Sequence, residues 1–113
     1  MFRIPGTTAL GTTLLALCLS APVASFAEQQ LHEVKIHKFK FIPAEITVNA
    51  GDKVRWTNEE KRQYHSVWFE ALGEPEPDYL FPGDTYERVF EEPGDFPYRC
   101  GPHPEMRGMV HVK

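Results

Sequence analysis

Near the C-terminus the chain packs a thiol, an imidazole and a thioether into one short segment, Cys100-Gly101-Pro102-His103-Pro104-Glu105-Met106. The two residues between Cys100 and His103 suit a tight turn that aims both side chains at one point. Pro102 and Pro104 bracket His103, fix the backbone on either side of it and remove two amide donors. A loop of that kind is stiff enough to hold ligands still. Met106, three residues beyond His103, is placed to return to the same point. A further donor has to come from elsewhere, and His65 is the candidate. It follows the polar turn Glu59-Glu60-Lys61-Arg62-Gln63, and its parity matches Val67 and Phe69 in what reads as the start of a strand, Tyr64 to Phe69.

Two imidazoles and a thiolate in a plane, with a weak axial thioether, form a donor set suited to copper. Sulfur favours Cu(I) and imidazole accepts Cu(II). A site held between the two preferences passes an electron with little rearrangement. Each residue has a plainer reading alone. A buried cysteine is usually a small apolar group and a methionine a core filler. His65 alone reads as an ordinary buried histidine, and Cys-x-x-His also occurs in zinc sites. Structural zinc, however, usually needs more Cys or His than this loop offers.

The chain has 113 residues, room for one domain. Residues 1–27 read as a secretory signal peptide. Arg3 precedes an apolar run from Thr7 to about Val23, and Ala24-Ser25-Phe26-Ala27 supplies small residues for a cut after Ala27. The apolar core is short for a membrane span, and Leu17 before Cys18 does not fit a lipoprotein signal. Residues 28–113 are then one exported domain, expected in the periplasm as a monomer with no membrane span. Removing residues 1–27 takes away one basic residue and no acidic one, so the formal charge moves from −4 to −5. That balance argues against nucleic acid as a partner. Cys18 leaves with the leader, and Cys100 remains as a lone thiol. Exported proteins normally pair their cysteines, and a metal bond would protect one that has no partner.

The elements that must position these residues read as β-strands. Val34 and Ile36 alternate with charged neighbours, as do Ile46 and Val48. After the turn Asn49-Ala50-Gly51-Asp52, the residues Val54, Trp56 and Asn58 share one face. Thr85 to Glu91, Phe96 to Cys100 and Met109 to Lys113 continue the pattern. Short alternating runs broken by Gly, Pro, Asn and Asp predict an all-β sandwich. Phe96, Tyr98 and Cys100 fall on one strand face, so Cys100 arrives from the core side. Ala71 to Tyr79, with three breaker residues and several carboxylates, reads as a loop, and no run of ten residues reads as a helix.

From about His37 to Lys113 the chain resembles the cupredoxins, the type 1 blue copper proteins. Phe41-Ile42-Pro43-Ala44-Glu45-Ile46-Thr47-Val48-Asn49-Ala50-Gly51-Asp52-Lys53-Val54-Arg55-Trp56-Thr57-Asn58 matches a family segment, and His65-Ser66-Val67 matches the first ligand motif. Tyr98-x-Cys100-x-Pro102-His103-Pro104-x-Met106-x-Gly108-x-Val110 is similar to the ligand loop. The resemblance implies a Greek-key β-sandwich of seven to eight strands with one copper, Cu(I) or Cu(II), at one end. It is strongest to amicyanin- and plastocyanin-like members. The short gap after His103 is amicyanin-like and implies Met106 as axial ligand rather than Met109. One departure is Ser66, where these relatives commonly carry an Asn that ties the ligand loops together.

The resemblance implies outer-sphere electron transfer and no enzymatic activity, since a full ligand set leaves no open position for substrate. Cys100 would anchor the metal, with an amide near Ser66 or Met106 donating to its sulfur. His65 would be the enclosed imidazole, and His103 would reach the surface through an apolar patch. The expected partner is a redox protein such as a cytochrome, a dehydrogenase or an oxidase. Glu70 to Asp78 and Glu91-Glu92 read either as solvation or as steering for a basic partner. A second reading is a copper-handling or copper-tolerance protein, to which the spare Met109, His111, His32 and His37 lend weight, with Met109 and His111, which share a parity, as a second, weaker copper contact.

Overall fold

A computed structural model describes residues 28–113, so the leader expected over residues 1–27, with Cys18, lies outside the described residues. The alternating runs form strands β1 (Leu31–His37), β2 (Lys40–Ile42), β3 (Glu45–Val48), β4 (Asp52–Asn58), β5 (Thr85–Phe90), β6 (Gly94–Arg99) and β7 (Arg107–Val112). Two sheets result, ordered β2-β1-β4-β5 and β3-β7-β6. The β1–β4 and β3–β7 pairs are parallel and the others antiparallel. The chain crosses between sheets after β2, β3 and β5, as a Greek-key sandwich requires. The expected all-β class is met with seven strands, and the one further element among the described residues is a single 3-10 turn, Glu70–Leu72.

Period-two burial explains the strands. On β4, Asp52, Val54, Trp56 and Asn58 are buried while their neighbours are half-exposed. Trp56 is the centre of the core. Its ring meets Tyr98 edge-on at 5.3 Å and Phe69 at 6.1 Å, a geometry that aromatic quadrupoles favour. Tyr98 faces Gly108 across the β6–β7 pair, and a side chain on Gly108 would run into the Tyr98 ring. The glycine therefore lets an aromatic ring lie flat against the neighbouring strand.

Two local expectations need correction. The stretch from Tyr64 to Phe69 is not a strand. His65 pairs singly with Leu80 and Trp68 singly with Arg99, and the segment between them closes one end of the sandwich. Inward parity survives at His65, Val67 and Phe69, but Ser66 is buried as well. Strand β2 had no sequence signal of its own. It is made by a two-residue turn at Lys38 and Phe39, both with positive φ (53° and 59°), in a hairpin that pairs His37 with Lys40. Such turns usually carry Asn or Gly, and Lys-Phe hides this one.

At the far end of the sandwich, Asp52 is buried and collects hydrogen bonds from the Gln30 amide (3.0 Å), the Asn49 amide (2.9 Å) and Nε2 of His32 (2.9 Å). The Gln30 amide, then His32 and the Asn49 amide, hold its pKa below the usual carboxylate value against the effect of burial. A depressed folded-state pKa means stability that is fully present above the unfolded value and is lost as pH falls through the folded one. Asp52→Asn should therefore cost about 1–3 kcal/mol at pH 7 and flatten the loss of stability on acidification below about pH 4. Denaturant titrations of both proteins at pH 7 and pH 3 would measure this. An equal pH slope in the variant would contradict it.

Candidate metal centre

The centre lies where two chain segments meet. The first is set by Asn58 at the end of β4, which is buried. Its amide nitrogen donates to the carbonyls of Gln63 and Leu80, both at 2.9 Å, and its Oδ1 accepts from the Glu60 amide at 2.9 Å. Those bonds, with the paired backbone of His65 and Leu80, fix the approach to His65. The second segment closes on itself. The Cys100 amide donates to the Met106 carbonyl and the Met106 amide to the His103 carbonyl, both at 2.9 Å.

Ser66 joins the two. Its amide donates to Sγ of Cys100 at 3.4 Å, and its Oγ accepts from the Gly101 amide at 2.8 Å. The hydroxyl thus does the loop-tying that the sequence left in question at this position.

His65, Cys100 and His103 come together as expected. Nδ1 of His65 is 3.6 Å from Sγ of Cys100, and Nδ1 of His103 is 3.5 Å from it. Among the described residues they are the one group of three or more His, Cys, Asp and Glu side chains whose donor atoms lie mutually within 4.8 Å. A trigonal centre with metal–nitrogen bonds of about 2.0 Å and a metal–sulfur bond of about 2.3 Å puts N and S roughly 3.7 Å apart. The observed spacing therefore accommodates a metal ion. Met106, at the end of the same loop, is buried, whereas Met109 lies on the outward face of β7, half-buried in a groove with Ala44, Pro97 and Arg107.

Protonation suits a metal. Nε2 of His65 is 2.8 Å from Oε2 of Glu60. An ionised carboxylate only accepts, so Nε2 carries the proton and Nδ1 presents a bare lone pair toward the sulfur. Burial pushes the pKa of His65 down and outweighs the opposing pull of Glu60, so that the charged imidazolium is disfavoured overall. Burial also pushes the Cys100 thiol up, and the Ser66 amide opposes it. The Glu60 carboxylate is raised by burial, but the Phe39 amide and His65 outweigh that and leave it low.

The sequence reading passed over Glu60 and Phe39. Glu60 accepts from the Phe39 amide at 2.9 Å as well as from His65. One carboxylate thus orients an imidazole and pins the Lys38–Phe39 turn. The turn sets the Phe39 ring edge-on to both imidazoles, 5.3 Å from His65 and 5.0 Å from His103. The available signal was an acid five residues ahead of a ligand-type histidine. His65 is fully buried and His103 half-buried, and Phe39, Tyr64, Tyr79 and Phe81 form an exposed aromatic collar on the His103 side.

His32 and His111 do not join the centre. His32 pairs with Asp52, and both ring nitrogens of His111 are taken, Nδ1 by Asp95 at 2.7 Å and Nε2 by Glu45 at 2.9 Å. Two charges of the acidic loop are also committed. Glu70 pairs with Arg99, and Glu74 makes two bonds to Arg88.

A Greek-key sandwich with a buried thiol between two imidazoles defines a mononuclear metal protein of the soft-donor class. Comparisons with known proteins agree. A family model for the cupredoxin-like domain matches residues 9–112. Amicyanin-alpha of Methylorubrum extorquens is 38% identical over 95% of this chain and 87% of its own length. Amicyanin of Paracoccus versutus is 32% identical over 100% of this chain and 89% of its own. The solved structure of an oxidised Met-to-Leu variant of amicyanin superposes with a TM-score of 0.68 at 37% identity, covering 73% of this chain and 81% of that one. The chain belongs to the cupredoxin family, and copper is the metal that the family's site takes.

The double duty of Glu60 yields a test. Glu60→Ala should weaken copper binding about 10- to 100-fold, measured by competition with a chelator. Glu92→Gln, an acid lost at the opposite end, should leave it unchanged. Equal affinities for Glu60→Ala and the parent would refute the role given to this carboxylate.

Proposed function

We propose that His65, Cys100, His103 and Met106 hold one copper ion per chain, and that the domain carries single electrons between redox proteins in the periplasm. The observation that carries this is the pair of Nδ1 atoms at 3.6 and 3.5 Å from one buried sulfur. The relatives fit a type 1 copper electron-transfer protein rather than an enzyme. Residues 1–27 act as the export signal, and residues 28–113 are the working domain, a monomer. No helix among the described residues is long and apolar enough to cross a membrane.

Bound copper supplies the one-electron Cu(II)/Cu(I) couple. The protein's residues do the rest. Cys100, deprotonated when the metal is held, gives the strongest bond, and the Ser66 amide offsets charge on its sulfur. Glu60 keeps Nδ1 of His65 aimed inward. The proline-bracketed loop keeps His103 in place in either oxidation state. Met106 would complete the set of residues holding the metal, in keeping with its burial. The half-exposed His103 edge within the collar is where the partner docks, and apolar rings there exclude water along the path between the two centres. The partner is a redox protein of the cytochrome, dehydrogenase or oxidase type. A copper-tolerance role gains nothing from His32 and His111, which are engaged by carboxylates.

The copper-loaded protein should hold one copper per chain and show an intense visible charge-transfer band. Cys100→Ser should abolish the band. Met106→Leu should shift it, and Met109→Leu should leave it nearly unchanged. A band that follows Met109 instead would overturn the axial assignment. N-terminal sequencing of the exported protein should begin at Glu28, and an intact Met1 in that fraction would contradict the leader.

A further inference from the structure

We infer that Glu76 is a positioning residue that sets the reduction potential of the centre, lowering it by holding a negative charge against the ligand loop. This rests on the copper assignment above. Gly101, between Cys100 and the His103 turn, has an ordinary negative φ, so its backbone conformation does not demand glycine. Space does. A side-chain carbon built on Gly101 would collide with the Glu76 carboxylate and lie 2.8 Å from Oγ of Ser66. The carboxylate lies where another residue would carry its side chain, but as the end of an exposed side chain it is free to swing aside, and Oγ of Ser66, bonded to the Gly101 amide, is the firmer obstacle. It lies beside the Ser66–Gly101 bridge that joins the two ligand segments.

The approach is not the accident of a swinging loop. Trp68 donates its indole N–H to the Glu74 carbonyl at 2.8 Å, and the Glu74 side chain is bound to Arg88. Two residues on, Glu76 has no such cation partner among the described residues. Its carboxylate meets the Tyr79 hydroxyl, a neutral donor, so its charge still faces the loop. A nearby anion stabilises Cu(II) over Cu(I), because the oxidised ion carries the additional positive charge. Reduction adds one electron to copper and moves no other group. Glu76 is exposed, so water and salt weaken the effect but do not cancel it.

Two measurements test this. In the metal-free protein, Gly101→Ala should destabilise the parent, and adding Glu76→Ala should relieve the part due to the carboxylate while the part due to Oγ of Ser66 remains. Additive effects in that double-mutant cycle would refute the contact. In the copper-loaded protein, Glu76→Gln should raise the Cu(I)/Cu(II) ratio at a fixed mediator potential about three- to tenfold with the visible band retained. Its effect should shrink as salt is raised. Glu92→Gln, the same charge change at the opposite end, should not alter the ratio. A Glu76→Gln protein with an intact band and the parental ratio would overturn the inference. A colourless parent would instead overturn the copper assignment and this inference with it.

Discussion

A bridge of two hydrogen bonds joins parts of the chain that lie 35 residues apart. Ser66 gives its amide to the Cys100 sulfur and takes the Gly101 amide on its hydroxyl. Everything at the centre depends on that junction. The two sheets bring the ends of β4 and β6 to one end of the sandwich, which places the segments near each other but leaves them free to shift. The bridge removes that freedom and holds an imidazole from one segment beside a thiol from the other. Donor atoms held in place in this way would need little reorganisation when the charge of a metal between them changed.

Holding them there means burying polar groups. His65, Ser66, Asn58 and Cys100 are all at most 1% exposed, and an unpaired polar group so deep is costly. Each is satisfied by a neighbour. Asn58 spends both ends of its amide on the backbone around His65, Glu60 takes the outer nitrogen of His65, and the sulfur receives the Ser66 amide. His103 is treated differently. It is half-buried, stiffened by Pro102 and Pro104 and flanked by aromatic rings. One imidazole is locked into the hydrogen-bond network and the other is left at the surface. That asymmetry lets a single site be both rigid and reachable.

Much of this was legible in the order of the residues alone. Alternation gave the strands because one face of each sheet is buried, and the short Cys100-to-His103 spacing brought a thiol and an imidazole together because they are neighbours in sequence. The segment from Tyr64 to Phe69 misled in detail, since inward parity at His65, Val67 and Phe69 is also what a crossing segment shows when it caps a core. The β1–β2 turn was hidden because Lys38 and Phe39 are not residues that announce positive φ. Glu60 and Glu76 were invisible for a different reason. Both sit in polar, acid-rich stretches that read as solvated loops, and only folding shows that one carboxylate meets an imidazole while another fills the space beside a glycine.

The central claim is that one sulfur and two nitrogens share a single copper ion. X-ray absorption at the copper edge of the purified, singly loaded protein tests it most directly. The account predicts one short sulfur scatterer and two imidazole nitrogens around each copper, in both oxidation states and with nearly equal distances. A shell of nitrogen and oxygen alone, or a copper–sulfur bond that breaks on oxidation, would contradict it.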